Sequence, residues 1–323
     1  MIDTSVLLRK IRKAPHTLYR RCVDRPLNQL HCFDYPAENN GWMKYGYRPV
    51  WGNCKTGTMF DPYVYYENRL FKMVVSARRT NTIILLESND GVFWKNEKIL
   101  LNGQENSWDV VVNRACLVEC RGQKYLWYSG QKDSVSCVGL ALGDVNNMFS
   151  RIQDAPVLKA DKLGEGTSVM NPCVLWDEHR NLFRMWYSAG ETYEPDVICY
   201  AESKDGIIWE KYGEPILKSF PAHVWEKYKI GGCHVIKESE TAYKMYYIGY
   251  QNLDVARICV AHSIDGINWQ RNENNLILSP SKNAWDSDAV YKPSVVRVHG
   301  KEYLWYNGRR NHEEYIGLAT RSF

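Results

Sequence analysis

Asp61, Arg114, Asn171, a glycine at 231 or 232, and Lys292 each stand at the head of a short apolar run, one module apart along the chain. In three of these places the next residue is proline (Pro62, Pro172 and Pro293), which presets φ where no ladder donor is wanted. Neighbouring strand ends contribute Arg78, Arg79, Gln131, Lys132, Glu191, Tyr250, Arg309 and Arg310. The approach loops contribute Trp108-Asp109, Glu165, Trp225-Glu226, and Trp285-Asp286 with Asp288. Carboxyl groups gathered in one mouth suit acetal cleavage. One protonates the leaving oxygen, and another activates water or attacks the anomeric carbon. Tryptophan faces stack on sugar rings, and guanidinium or ammonium groups hold a carboxylate or phosphate.

These residues lie far apart in the chain, so a repeated scaffold must gather them. A strand-like run ending in a small residue recurs as FKMVVSA, YLWYSG, FRMWYSAG, YKMYYIGY and YLWYNG. Aligning Val74, Trp127, Trp186, Tyr246 and Trp305 gives spacings of 53, 59, 60 and 59 residues. Each copy is preceded by one short apolar run and followed by another. Three copies continue into SNDGVFW, SKDGIIW and SIDGINW, where Asp-Gly supplies a hairpin turn with positive φ and the Trp packs between modules. Four short antiparallel strands per unit of 50–60 residues make a propeller blade. The spacing therefore predicts a single all-β domain over 1–323, a five-bladed β-propeller with blades at about 54–101, 102–160, 161–220, 221–280 and 281–323. The last copy stops after its third strand, so residues 1–53 are expected to supply the missing strand and close the ring. A solenoid or open sandwich is rejected because only a ring places the polar strand starts around one axis.

Composition narrows the classes further. Of 323 residues, 45% are hydrophobic and 24% charged, which suits an ordinary globule with a large core. The net charge of +4 comes without a dense basic block, which argues against nucleic acid. No apolar stretch has the length of a membrane span or a signal peptide. The 10 cysteines lack metal or CxxC spacing and sit in strand-like runs, pointing to a reducing, cytoplasmic setting without metal or cofactor. The 22 Tyr and 12 Trp against 8 Phe favour wet cavities and ring stacking. Either a monomer or a dimer is compatible with this composition.

Five units, Asp61-Pro62 opening the first, and the SxDGxxW turns together resemble the five-bladed β-propeller glycosidases over about 270 of the 323 residues. That superfamily includes family 43 glycoside hydrolases, the invertase group and the mannoside phosphorylases. The resemblance implies that Asp61 matches the blade-one base. The blade-three and blade-four acids are missing, since Asn171 and Gly231 or Gly232 stand in their places. The invertase motif is also absent, as Thr58-Met59-Phe60 precedes Asp61.

The expected catalytic set is Asp61 with Asp109 and Glu191 as candidate acids. Arg78, Arg114, Asn171, His234, Asp288, Lys292 and Arg309 are the expected substrate-binding residues. Trp-acid pairs can equally be blade-joining structure, and Arg114 can simply pair with Asp61 or Asp109. Asp90, Asp205 and Asp265 belong to the repeated turns and read as structural. Trp42, Tyr45 and Tyr47 either reach over the mouth or pack beneath the ring. The expected activity is cleavage of a glycosidic bond in a small anionic sugar. Phosphorolysis with inorganic phosphate, glycosyl transfer, or sugar binding without catalysis are the alternatives.

Overall fold

The computed structural model describes residues 22, 25–30, 32–33, 41–46, 48–144, 146–191 and 195–323. The basic residues Lys10, Arg12 and Lys13 and the aromatic Tyr47 lie outside these. Strand β1 (Met43–Lys44) precedes five antiparallel sheets. Blade one is β2 (Met59–Glu67), β3 (Leu70–Ala77), β4 (Thr82–Ser88) and β5 (Lys95–Asn102). Blade two is β6 (Val111–Cys120), β7 (Gln123–Lys132), β8 (Val135–Gly143) and β9 (Phe149–Arg151). In blade three, β10 (Ser168–Asp177), β11 (Leu182–Gly190) and β12 (Pro195–Ser203) are followed by β13 (Glu210–Lys211) and β14 (Leu217–Lys218), both paired to β12. Blade four is β15 (Lys229–Ser239), β16 (Ala242–Tyr250), β17 (Ala256–Ser263) and β18 (Leu276–Leu278). Blade five has β19 (Ala289–Val298), β20 (Lys301–Arg310) and β21 (Glu313–Ser322), and β1 pairs with β21 through Met43–Thr320 and Lys44–Ala319. The early segment therefore completes the last blade and closes the ring, as the truncated fifth repeat requires.

The core is a set of wedges between blades rather than one central mass. Val64 and Met73 of blade one pack with Trp305, Ile316 and Leu318 of blade five. Blades two and three share another cluster, three and four a third, and four and five a fourth that takes in Trp42. Burying each large apolar side chain is worth about 1.5–3 kcal/mol, so the wedges hold neighbouring blades together. Trp42 is thus packing, edge-on to Tyr246 at 6.2 Å, while Tyr45 is exposed.

The repeated turns work differently from the hairpin that their Asp-Gly pair suggests. Only the glycines, Gly91, Gly206 and Gly266, have positive φ. In each turn the Asp Oδ1 accepts two following backbone N–H groups and the Ser hydroxyl accepts the Gly N–H, which makes an Asx-type turn. The true two-residue hairpins, with both residues at positive φ, are Asn68-Arg69, Arg121-Gly122, Asp133-Ser134, His299-Gly300 and Asn311-His312. The Asp-Gly turn instead docks onto the preceding blade. Trp127 Nε1 donates to Gly206 O at 3.0 Å, Trp186 to Gly266 at 2.7 Å, and Trp305 to Gly91 at 2.9 Å. Trp94 and Trp209 meet Trp305 and Trp127 edge-on at 6.0 Å, confirming their place between modules.

Ionised carboxylates contribute to this scaffold. Burial opposes ionisation of Glu165, Glu302, Asp90, Asp205 and Asp265, but hydrogen bonds outweigh it and hold all five below their ordinary values. The donors are Lys211 and Tyr187 for Glu165, Arg321 and Arg297 for Glu302, and mainly turn backbone for the aspartates. A depressed carboxyl stabilises the fold above its unfolded value of about 4 and loses that contribution as pH falls through its folded value. The urea midpoint should hold between about pH 6 and 8 and fall steadily below about pH 4. A flat midpoint down to about pH 3 would contradict this account.

Candidate functional site

The inner strand of every blade carries the same irregularity. Asp61 (φ 58°), Arg114 (54°), Asn171 (54°), Gly232 (49°) and Lys292 (50°) are all left-handed. At each, two residues of the inner strand face one on the second strand. Such a bulge bends the strand and re-aims a side chain. A non-glycine residue in this conformation costs on the order of 1–2 kcal/mol, which side-chain caps help to offset. Asn307 Oδ1 accepts Asp61 N–H at 2.7 Å. Ser76, Ser129 and Ser188 hydroxyls accept those of Arg114, Asn171 and Gly232 at 2.9, 3.0 and 2.7 Å. The capping residue always belongs to the preceding blade, and blade four has Ile248 at that place. This explains why four of the five second strands carry a small polar residue near their end.

The five bulges form a continuous circuit. Arg114 Nε lies 3.2 Å from Asp61 Oδ2, and its Nη1 reaches Met170 Sδ at 3.3 Å. Ser188 Oγ accepts from both Asn171 Nδ2 and Gly232 N. A Cβ on Gly232 would stand 3.4 Å from Lys292 Cδ, so the lysine stem passes over the blade-four position. Lys292 is only 4% exposed yet makes no hydrogen bond or ion pair with any described residue. Asp61 Oδ2, Asn113 Oδ1, Asn171 Oδ1 and Arg309 Nε are likewise buried without a hydrogen-bond partner. Buried polar atoms without a hydrogen bond cost about 1–3 kcal/mol each, and orphaned atoms also occur in the scaffold, as at Asp109 Oδ1 and Asp286 Oδ1. Burial pushes the Asp61 carboxyl above its ordinary value, and the opposing charges of Arg114 and Lys292 only partly offset this.

Beside this circuit lies a carboxylate that the repeat alignment passes over. Glu314, near the start of β21, accepts a hydrogen bond from Tyr291 OH and pairs with Arg78 Nη2 at 3.1 Å. Its negative charge also raises Asp61. The alignment followed first-strand starts and second-strand ends, whereas third strands begin at the same face. The HEEYIG run at 312–317 is the signal that was available. Arg309 packs over the Tyr291 ring at 5.9 Å and donates to Asp254 O at 2.7 Å.

Other expected site residues belong to the scaffold. Asp109 is fully buried, accepting from Tyr128 OH at 2.8 Å and Arg151 Nε at 2.7 Å. The same arrangement recurs as Glu165–Tyr187–Lys211, Glu226–Tyr247–Arg271 and Asp286–Tyr306–Lys44. Trp108 and Trp285 stack on Tyr128 and Tyr306, and Trp225 stacks on His223. These loop pairs lock each loop to its own blade, so Asp109 lies outside the group around Asp61. In blade five the cation comes from β1, the strand that closes the ring.

Glu191 has a side chain 76% exposed and only a long contact to Lys229 at 3.5 Å. Asp288 is held by Arg25, on helix α1 (Arg25–Gln29), and by Asn311 N–H at 2.8 Å. His234 faces Tyr63 at 6.0 Å, two residues beyond the blade-four bulge. Burial and Lys292 lower its pKa to about 3, so it is neutral and reads as a structural histidine. Among the described residues no group of three His, Cys, Asp or Glu side chains is arranged to hold a metal.

Residues 88–248, just under half of the chain, match the family described as the glycosyl hydrolases family 32 N-terminal domain. A solved glycoside hydrolase superposes with a TM-score of 0.71 at 22% identity, covering 92% of this chain and 95% of its own. A thermostable family-43 glycoside hydrolase gives 0.68 at 20% identity, over 85% and 92%. The chain resembles the five-bladed propeller glycosidases and phosphorylases. The beta-1,2-mannobiose phosphorylase from Listeria innocua, solved with beta-1,2-mannobiose, gives 0.65 at 12% identity, over 90% and 93%. The uncharacterized protein Rv1502 of Mycobacterium tuberculosis is 26% identical over 238 residues, 69% of this chain and 76% of that protein. At these identities the solved structures establish the propeller fold alone. The family match takes in Arg114 and Asn171 but leaves Asp61, Lys292, Arg309 and Glu314 outside it.

Proposed function

We propose that the protein cleaves a glycosidic bond at the mouth around Asp61, in a small sugar substrate bearing a carboxylate or phosphate. The observation that carries this reading is a buried carboxyl, Asp61, in one circuit with a buried lysine, Lys292, that has no hydrogen-bond or ion-pair partner among the described residues. A buried ammonium is expensive, and a ligand anion would add to the partial balance that Asp61 provides. Burial raises the Asp61 carboxyl, the direction that favours a proton donor to the leaving oxygen, while Arg114 and Lys292 oppose it. This differs from the base role that the family resemblance implies. Asn171 replaces an acid with an amide that can orient a sugar hydroxyl, and Arg114 orients Asp61. A cytoplasmic setting, expected from the cysteines, favours a small imported or biosynthetic glycoside.

A second reading, phosphorolysis, draws on the same lysine: inorganic phosphate would sit against Lys292 and Arg309 and attack in place of water. The test is product analysis on a panel of aryl glycosides, glycuronides and phosphorylated glycosides, with and without inorganic phosphate. Sugar phosphate formed only with phosphate would favour phosphorolysis, and free sugar in both would favour hydrolysis. Replacing Lys292 by Met should raise KM for anionic substrates about 10–100-fold, the worth of one charge-assisted hydrogen bond, and leave neutral ones little changed. Equal KM values in wild type and variant would remove the anion from the proposal. Sugar binding without turnover by the wild type would leave only the non-catalytic reading.

A further inference from the structure

We propose that Glu314, from the third strand of blade five, supplies the second carboxylate of the reaction and activates the attacking water. The assignment depends on the glycoside-cleaving reading above and goes beyond it by naming the group that replaces the missing blade-three and blade-four acids. Glu314 is linked to the Asp61 circuit through a traceable set of contacts. It takes the hydroxyl of Tyr291, which directly precedes Lys292 and pairs across the sheet with Asn307, the cap of Asp61. Its other oxygen meets Arg78, which leaves the end of β3 in blade one and lies over Phe60 at 4.7 Å. The carboxylate therefore bridges blade five to blade one, the blade that carries Asp61.

The other acids of the candidate set lie elsewhere. Asp109, Glu165, Glu226 and Asp286 are at most 2% exposed in tyrosine–cation clusters of their own blades, Asp288 is held by Arg25, and Glu191 points largely into solvent, whereas the tyrosine and arginine on Glu314 join blades five and one. Glu314, with a side chain 13% exposed, is both sheltered and reachable. In the step proposed, Glu314 takes a proton from water as the water oxygen bonds to the anomeric carbon. The glycosidic C–O bond breaks with its electrons going to the leaving oxygen, which takes the proton of Asp61. Exchange with solvent then returns both carboxyls to their starting states. Tyr291 is a positioning residue that fixes the orientation of Glu314.

The test compares wild type, Glu314→Gln, Glu314→Ala and Tyr291→Phe on 2,4-dinitrophenyl and alkyl glycosides, with folding followed by circular dichroism. Glu314→Gln should lose about 10²–10⁴-fold in kcat on both leaving groups, because water activation is needed for either. Sodium azide should restore turnover in Glu314→Ala and give a glycosyl azide, since azide needs no base. Tyr291→Phe should lower kcat while KM holds. Independently of any substrate, the Asp61 carboxyl followed by ¹³C NMR should titrate lower in Glu314→Gln. A folded Glu314→Gln variant as active as wild type, or azide without effect, overturns the role of Glu314. Should Glu314→Gln fail to fold, unchanged kcat in Tyr291→Phe and an unmoved Asp61 titration in that variant overturn it instead. A wild type inert on every glycoside overturns the cleavage reading itself, and the Glu314 assignment with it.

Discussion

Asp61→Asn should lower kcat on alkyl glycosides by about 10²–10⁴-fold and spare much of the activity on 2,4-dinitrophenyl glycosides. A dinitrophenolate leaves without help from an acid, whereas an alkoxide needs its oxygen protonated as the bond breaks. The asparagine keeps the shape and the left-handed backbone, which this residue type tolerates well. It also keeps the Asp61 backbone bond to Asn307, so the fold should persist by circular dichroism. The pattern across leaving groups decides the role. An equal loss on both substrates would make Asp61 the base or nucleophile, and the assignment to Glu314 would be reversed. Unimpaired turnover on both would take Asp61 out of the chemistry.

The second large effect concerns stability. Glu226 is completely buried and gathers four donors: His223 and Asn275 at 2.8 Å on one oxygen, Tyr247 at 2.6 Å and Arg271 at 3.0 Å on the other. Glu226→Ala leaves a buried hydroxyl, a buried amide and a guanidinium without their acceptor. Removing one partner from such a buried cluster costs about 3–5 kcal/mol, and a shifted urea midpoint at constant slope would measure it. The same result is expected in kind for Asp109 and Glu165, because their clusters repeat the pattern. A midpoint within about 0.5 kcal/mol of wild type would show that these acids are not structural, and Asp109 would return to the catalytic candidates.

The contrast between these variants shows how far the primary structure could be interpreted. Repeats of 53–60 residues, each with a strand-like apolar run ending in a small residue, were enough for five blades. They were also enough for Asp61, Arg114, Asn171 and Lys292 as equivalent inner positions, because identical local strand chemistry places identical backbone irregularities. The bland possibility weighed for Arg114, an ion pair with Asp61, is the arrangement found.

Local pattern could not sort the acids. Asp61, Asp109 and Glu226 look alike in a loop or at a strand start, and their difference lies in partners hundreds of residues away or on another strand. The four loop acids each required a tyrosine from the second strand and a cation from a fourth strand or, for Arg271, from the loop before it, one of them supplied by Lys44 before the repeats begin. Glu314 required knowing that a third strand starts at the same face as the first.

The chain by itself therefore determined the propeller, its closure by an early strand, and the five positions that face one another, since periodicity and turn chemistry are local properties. Tertiary structure alone decided which carboxylates are locked into the scaffold and which stay open to a ligand, because that depends on burial and on donors brought in from other blades.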